Sequence, residues 1–257
     1  MNRLEELFQR KKEKVLNVYC TAGFPELNST LTVMKALQDN GADIIELGMP
    51  YSDPLADGPV IQASGTKALQ NGMTIEKLFA QLQDCRKEIY VPVILMGYMN
   101  PVLQYGFERF CQHAAAVPVD GLILPDLPEH EFETEYGPII KRYGLDFIFL
   151  VTPETSEERI KKLDELSTGF LYAVSSSSTT GKQQDFTAVE KYLQRLQSMN
   201  LKNPVLVGFG IKDKQSFDTA CKHASGAIIG TAYIKNIEAA ENIEEATKAF
   251  LQPIVGG

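Results

Sequence analysis

The residues Asp43-Ile44-Ile45-Glu46-Leu47-Gly48 form a short apolar run with one charge in its interior, at Glu46. Alternation of period two, which is typical of a strand, places Glu46 on the face opposite Ile45 and Leu47. Seven more apolar or β-branched runs occur along the chain, and sequence of helical periodicity follows the runs. The eight runs are residues 15–21, 43–48, 93–98, 121–124, 146–151, 170–175, 204–208 and 226–229.

Eight strand–helix units in 257 residues predict one α/β domain over residues 1–257, a single (β/α)8 TIM barrel. A short amphipathic helix with Leu4, Leu7 and Phe8 precedes the first strand. In a barrel this extra helix either closes the bottom or lies against the outer ring of helices. A doubly wound open sheet is the rival fold. It usually has fewer strands at this length, and no Gly-x-Gly-x-x-Gly motif follows the first strand.

Composition limits the function classes. The net charge is -8, and lysine and arginine are scattered, which argues against nucleic-acid binding. The four cysteines stand far apart without paired spacing, which favours free thiols in a reducing compartment. The first fourteen residues are charged and contain no apolar run of the length of a signal peptide or membrane span. We therefore expect a soluble cytoplasmic protein with no membrane partner.

Glu46 is the first candidate catalytic residue. Because Ile45 and Leu47 should face the helices, Glu46 should point into the barrel near the carboxyl end of its strand, where barrel active sites lie. Loss of solvation there should raise the pKa of Glu46 toward the range useful for general acid and base catalysis. The structural alternative is a buried glutamate that backbone donors or a cation satisfy.

The loop after this strand, residues 49–59, contains three prolines and two aspartates, Asp53 and Asp57. Proline stiffens such a loop and Asp57-Gly58 supplies a tight bend, so Asp57 can lie over the barrel mouth near Glu46. Alternatively, the two aspartates make turns or cap the helix that begins near residue 60. Asp126, just past the fourth strand, is a third carboxylate that we interpret as structural.

Three glycine-bearing segments follow the last three strands, and their position predicts a phosphate site formed by backbone N–H groups and a helix N-terminus. Each pair alone is typical of an ordinary turn. Lys182 is the one cation in these segments, so amides and the helix dipole should do most of the binding. Polar residues 175–182 predict a mobile lid. The segments are Thr180-Gly181, Gly208-Phe209-Gly210 and Gly230-Thr231.

Tyr19, Tyr172 and Phe209 stand at strand ends around the same mouth. They either line an apolar slot for a flat ligand or pack in the barrel core.

The stretch Glu46-Leu47-Gly48-Met49-Pro50-Tyr51-Ser52-Asp53-Pro54-Leu55-Ala56-Asp57-Gly58-Pro59 resembles the signature of the tryptophan synthase α subunit family. The resemblance extends over nearly the whole chain. It includes Thr21-Ala22-Gly23-Phe24-Pro25, Met96-Gly97-Tyr98-Met99-Asn100-Pro101, Pro125-Asp126-Leu127-Pro128, Thr180-Gly181, Gly208-Phe209-Gly210-Ile211 and Gly230-Thr231.

The resemblance implies a carbon–carbon lyase of tryptophan biosynthesis that cleaves indole-3-glycerol phosphate to indole and glyceraldehyde 3-phosphate by a retro-aldol reaction. It assigns catalysis to Glu46 and Asp57, and it implies no metal or organic cofactor in this chain. The implied indole slot is Tyr19, Ile123, Leu150, Tyr172 and Phe209. The implied phosphate ligands are Gly181, Gly210, Gly230 and Thr231, and Thr180 belongs to the lid.

The resemblance also implies a partner, a β subunit that carries pyridoxal phosphate, in an αββα heterotetramer. The loop around Asp53 and residues 98–101 would face that partner. In the sixth loop the chain departs from the family pattern, because Ser175–Ser178 and Thr179 stand where many relatives have a glycine or arginine shortly before the threonine. This departure bears on lid closure and on signalling between the subunits.

Other readings of the residues stay open. Another phosphate-binding barrel enzyme, such as a Schiff-base aldolase or an isomerase, is one alternative, and a non-catalytic activating subunit is another. A Schiff-base mechanism needs a lysine in the mouth, and the eight runs contain none. The three histidines fall in helical or loop sequence, which disfavours a metal cluster.

Overall fold

The structure is a computed structural model that describes residues 2–117, 119–174, 186–208 and 210–256. Four of the predicted features therefore lie outside the described residues. They are Phe209, Thr180, Gly181 and the predicted lid at residues 175–182.

Within the described residues, nine parallel strands form one sheet in the order β5-β4-β3-β2-β1-β9-β8-β7-β6. Parallel strands need crossover connections, and helices supply them here. The strands are β1 (Val15–Thr21), β2 (Ile44–Gly48), β3 (Val93–Met96), β4 (Gly121–Ile123), β5 (Asp146–Phe147), β6 (Leu150–Val151), β7 (Leu171–Val174), β8 (Val205–Gly208) and β9 (Gly226–Ile229).

The two ends of this order, β5 and β6, belong to one run of chain. Between them, the N–H of Ile148 donates to the carbonyl of Leu122 on β4 at 3.0 Å, and the N–H of Tyr172 on β7 donates to the carbonyl of Phe149 at 3.0 Å. The run is therefore bonded on both sides, which closes the sheet into a cylinder of eight barrel strands. The predicted (β/α)8 barrel is confirmed.

Helices surround the cylinder, and in the described part of the chain none combines the length and apolarity needed to cross a membrane. The α-helices are α1 (Arg3–Arg10), α2 (Thr30–Asp39), α3 (Pro59–Gln70), α4 (Ile75–Leu82), α5 (Met99–Tyr105), α6 (Phe107–Ala116), α7 (Glu129–Glu131), α8 (Gly137–Arg142), α9 (Glu157–Leu166), α10 (Phe186–Ser198), α11 (Lys214–Cys221), α12 (Thr231–Glu238) and α13 (Ile243–Val255). A 3-10 helix (Cys85–Lys87) and a π-helix (Phe132–Tyr136) complete them.

Two separate apolar clusters follow from the alternation along each strand. The larger cluster lies between strands and helices and contains Ile45 and Leu47. The smaller cluster fills the barrel interior, and Ile44 belongs to it. Glu46 shares the face of Ile44, so its side chain points inward, as period two predicts. The smaller cluster consists of Leu4, Leu7, Val15, Ile44, Ile94, Ile123, Ile148, Phe170, Leu206 and Ile228.

Helix α1 closes the bottom of the barrel, which decides between the two positions predicted for it. Leu4 and Leu7 are buried in the interior cluster, and each such side chain contributes about 1.5–3 kcal/mol. The helix is fixed by polar contacts at its start: Asn2 and Glu5 form a capping box. The guanidinium of Arg3 contacts the buried carboxylate of Asp120 at 3.1 Å. With its bottom closed, the cylinder is open only at the carboxyl ends of the strands.

Candidate active site

A cavity of about 1040 Å³ lies at the open end of the barrel. Its wall combines strand ends with the loops that follow them, as expected of a barrel active site. Eight of the residues that the sequence or the family resemblance assigned to catalysis, the indole slot or the phosphate line this cavity. They are Tyr19, Glu46, Asp57, Leu150, Tyr172, Gly210, Gly230 and Thr231.

Glu46 is the buried acid of this cavity, with 1% of its surface exposed. One carboxylate oxygen, Oε2, accepts a hydrogen bond from Nδ2 of Asn17 at 2.8 Å. The pKa of Glu46 is raised to about 8, mainly because burial disfavours the charged form; the Asn17 hydrogen bond lowers it and the charge of Asp57 raises it within that net value. Near neutral pH the group therefore exchanges a proton readily, which is the property a general acid and base needs.

Asp57 reaches the cavity from the proline-rich loop. Gly58 and Pro59 begin helix α3 directly after it, and Nε2 of Gln62 fixes the backbone by donating to the Asp57 carbonyl at 2.8 Å. The N-cap residue of α3 is Gly58, which has no side chain to cap the helix. Burial raises the pKa of Asp57 to about 6, while a hydrogen bond with Tyr98 lowers it. Asp57 therefore ionises at lower pH than Glu46.

Two tyrosines flank the acids, and a glycine on the adjacent strand makes room for each ring. Tyr19 lies beside Gly48, where an added Cβ would overlap the tyrosine hydroxyl. Tyr172 lies beside Gly208, where a Cβ would stand 2.6 Å from the hydroxyl oxygen. Both glycines thus act by leaving space for an aromatic wall around the acids.

The opposite side of the cavity has the features of an anion site. Gly230 precedes the first residue of α12, Thr231, so the free N–H groups of the first turn face the cavity. Gly210 has φ of 54°, a left-handed conformation that favours glycine. Lys212 and Lys235 also line this cavity and add positive charge to it.

Comparison with known proteins matches residues 5–254 to the family model described as "Tryptophan synthase alpha chain". The chain belongs to the tryptophan synthase alpha chain family. It is 52% identical over 257 residues to the tryptophan synthase alpha chain of Flavobacterium johnsoniae, covering 100% of this chain and 99% of that one. It is 49% identical over 255 residues to that of Parabacteroides distasonis, covering 99% of each.

Solved structures of tryptophan synthase share the barrel. The alpha subunit from Legionella pneumophila superposes with a TM-score of 0.89 at 34% identity, covering 99% of this chain and 97% of that one. A chain of the aminoacrylate-bound enzyme from M. tuberculosis gives 0.87 at 30% identity, covering 99% and 98%. The family, the fold and the lyase reaction predicted from the sequence are therefore confirmed: tryptophan synthase alpha chains cleave indole-3-glycerol phosphate in tryptophan biosynthesis.

Three residues implied by the family resemblance or considered as candidates lie off the cavity wall. Ile123 is fully buried in the interior cluster and does not line the cavity. Both carboxylate oxygens of Asp126 accept from the N–H of Met99 at 3.0 Å, so Asp126 caps helix α5. Asp53 is exposed to solvent.

The structure also adds residues that sequence reasoning missed. Lys235 stands one turn after Thr231 on α12, and helical side chains lean toward the N-terminus, so this spacing was a usable signal. Lys212 follows Gly210 by two residues. Both lie outside the glycine segments, so the prediction that amides and the helix dipole do most of the binding did not consider them. Asn17 is a polar residue of an apolar run and by period two shares a face with Val15 and Tyr19, a signal that sequence reasoning did not use. Elsewhere, no group of three or more possible metal ligands occurs among the described residues.

Proposed function

We propose that this cavity is the active site for the cleavage of indole-3-glycerol phosphate, with Glu46 as the acid–base residue and Asp57 as the carboxylate that stabilises the ring cation. One observation carries the assignment. A buried carboxyl group, Glu46, and a half-buried one, Asp57, share one cavity, and desolvation raises their pKa values to about 8 and about 6. Near pH 7, Glu46 is therefore protonated and Asp57 is ionised. The first can donate a proton while the second stabilises a positive charge.

In the first proposed step, protonated Glu46 delivers its proton to C3 of the indole ring, the carbon that bears the glycerol chain. The ring then carries a positive charge that extends to the ring nitrogen. Ionised Asp57 accepts a hydrogen bond from the indole N–H and stabilises that charge.

In the second step, the bond between C3 and the hydroxyl-bearing carbon of the side chain breaks, and its electron pair returns to the ring to restore neutral indole. The hydroxyl group becomes the aldehyde of glyceraldehyde 3-phosphate and loses its proton. Glu46, now a carboxylate, accepts that proton and returns to its starting state. No metal or organic cofactor takes part in the proposed chemistry.

Substrate binding in this proposal uses the two sides of the cavity. The rings of Tyr19 and Tyr172, with Leu150, enclose the flat indole. The phosphate binds at Gly210, Gly230 and the first turn of α12, where free N–H groups and the helix dipole favour an anion. The predicted contributions of Ile123, Phe209, Gly181 and Thr180 remain part of the proposal on the family resemblance alone.

We further infer that the chain works in the cytoplasm as the α component of an αββα complex with a β subunit that carries pyridoxal phosphate. Family membership supports the complex. The loop that carries Asp57 also offers a surface for a partner, because Leu55 is 93% exposed beside it. Tyr51 and Asn100 are joined there by a 3.0 Å hydrogen bond. All four cysteines are free thiols, which fits a reducing compartment.

The test is turnover of indole-3-glycerol phosphate by purified Glu46→Gln, measured as indole release with and without a β subunit. The amide has the shape of the acid but cannot transfer the proton, so binding should persist while kcat falls by at least about a hundredfold. Glu241→Gln makes the same chemical change at an exposed site outside the cavity and should leave kcat unchanged. Near-normal turnover by Glu46→Gln would refute the proposed role of Glu46.

A further inference from the structure

Asn17 is a polar side chain that neither the family resemblance nor the proposed function uses. It lies on the inward face of β1, beside Ile44 of β2, and is fully buried. The interior cluster around this layer is apolar, so an amide here is costly unless hydrogen bonds satisfy it. The described protein contacts satisfy one half of the amide. Nδ2 donates to Glu46 at 2.8 Å, and Oδ1 has no hydrogen-bond partner in the described structure.

The Asn17 amide offers both a hydrogen-bond donor, Nδ2, and an acceptor, Oδ1. The Glu46 carboxyl group that it faces changes its hydrogen-bonding role with its protonation state. A carboxylate accepts hydrogen bonds, whereas a carboxylic acid also donates one. Rotation about the Cβ–Cγ bond of Asn17 exchanges the positions of Nδ2 and Oδ1 with little change in shape. The unpartnered Oδ1 can therefore accept from the protonated acid in the place where Nδ2 donates to the carboxylate.

We infer that Asn17 is a positioning residue that holds the Glu46 carboxyl group in both protonation states, donating through Nδ2 to the carboxylate and accepting through Oδ1 from the acid. The inference rests on the proposed function, in which Glu46 alternates between these two states. A serine or threonine hydroxyl would be too short to reach from the same strand position, and an apolar residue would leave the carboxyl group without this partner in either state.

The other groups that face Glu46 do not perform this task. Asp57, from the loop after β2, and the tyrosines Tyr19 and Tyr172 interact with Glu46 electrostatically, as does Cys20 on β1. The residues on the inward faces of β3, β4, β8 and β9 beside it are apolar. Among the described residues, Asn17 thus donates the one hydrogen bond that this carboxyl group receives.

The test is Asn17→Leu, which keeps the branching of the side chain and removes both polar atoms. Without the Nδ2 hydrogen bond the pKa of Glu46 should rise, so the alkaline limb of kcat/KM should move up by about one pH unit. The plateau value of kcat should fall about tenfold because the acid is less well oriented. Asn17→Val, which suits a strand, should give the same limb and serves if the leucine variant does not fold.

A spectroscopic measurement checks the acceptor half of the inference without relying on turnover. The infrared C=O band of protonated Glu46, identified by difference from Glu46→Gln, should shift when Asn17 is replaced. Thr247→Val is the matched control, because it removes another buried hydrogen bond, to Tyr233 at 2.8 Å, outside the cavity. That variant should lower stability and leave both the alkaline limb and the infrared band unchanged.

The outcomes separate this inference from the proposed function. If Glu46→Gln abolishes cleavage while both Asn17 variants keep the wild-type limb, kcat and infrared band, Asn17 is a spectator and the inference is wrong. If Glu46→Gln retains turnover, the proposed function fails whatever the Asn17 variants do.

Discussion

Replacing Glu46 by glutamine should stabilise the folded chain, and the gain should grow with pH. In the unfolded chain the carboxyl group has its ordinary pKa of 4.5, and in the barrel the pKa is about 8. The folded state therefore keeps its proton where the unfolded state has lost it. For an acid whose pKa is raised by folding, the free energy of unfolding falls as pH rises between these two values.

The size of the effect follows from the two pKa values. Each pH unit between them removes about 1.4 kcal/mol, so ionisation of Glu46 lowers stability by about 1 kcal/mol at pH 5 and about 4 kcal/mol at pH 8. Glutamine is neutral in both states and avoids this loss. The variant should therefore gain roughly 3 kcal/mol more over wild type at pH 8 than at pH 5.

Urea unfolding of both proteins at pH 5 and pH 8, without substrate, measures this difference. The exposed control Glu241→Gln should give the same midpoint difference from wild type at both pH values. An equal gain at the two pH values, or a loss at pH 8, would show that Glu46 is not desolvated as the structure indicates. The same result would remove the basis for its proposed proton transfer near neutral pH.

Three further outcomes test other parts of the molecule. Gly230→Asp should raise KM for indole-3-glycerol phosphate at least about tenfold, because it places a negative charge against the phosphate. The control Gly230→Ala should bind normally, because its Cβ would meet atoms at 3.6 Å or more. An unchanged KM for the aspartate variant would remove Gly230 from the site. The acid limb of kcat/KM should lie near pH 6, where Asp57 becomes protonated and can no longer stabilise the ring cation. This limb should be absent from the residual activity of Asp57→Asn. A limb that persists in that variant belongs to another group, such as the substrate phosphate. Leu4→Ala should lower the free energy of unfolding by about 2–5 kcal/mol in a urea titration with kcat unchanged; an unaltered midpoint would mean that α1 does not fill the barrel bottom.

The sequence was most informative where the alternation of apolar residues along a strand and the place of a residue in that strand lead to the same prediction. Strands β1 and β9 have the predicted bounds, and the inward direction of Glu46 follows from Ile45 and Leu47 alone. Helix starts were less certain, because several polar residues can stand at the end of a loop. Asp213 caps α11 with its side chain, and the helix begins at the next residue. Before α2 two polar residues, Asn28 and Ser29, stand side by side; Ser29 occupies the N-cap position and makes no side-chain cap hydrogen bond.

Contacts between distant parts of the chain could not be predicted in the same way. Nothing in the local sequence says that Asn17 meets Glu46, because the contact depends on the register of two strands 29 residues apart. The fifth run shows the same limit. Its apolar pattern predicts one strand, but after residue 148 the run passes from bonding with β4 to bonding with β7. Such features depend on closure of the cylinder and not on local propensity.

Closure of the barrel also explains why Glu46 lowers the stability of the fold while it serves the proposed reaction. Helix α1 seals the bottom of the barrel with Leu4 and Leu7, so water reaches Glu46 only from the cavity side. The same apolar packing that stabilises the barrel therefore desolvates the carboxyl group and raises its pKa toward neutrality. Asn17 offsets part of that cost. A barrel with a fully apolar interior would be more stable, but it would contain no acid able to exchange a proton with an indole ring.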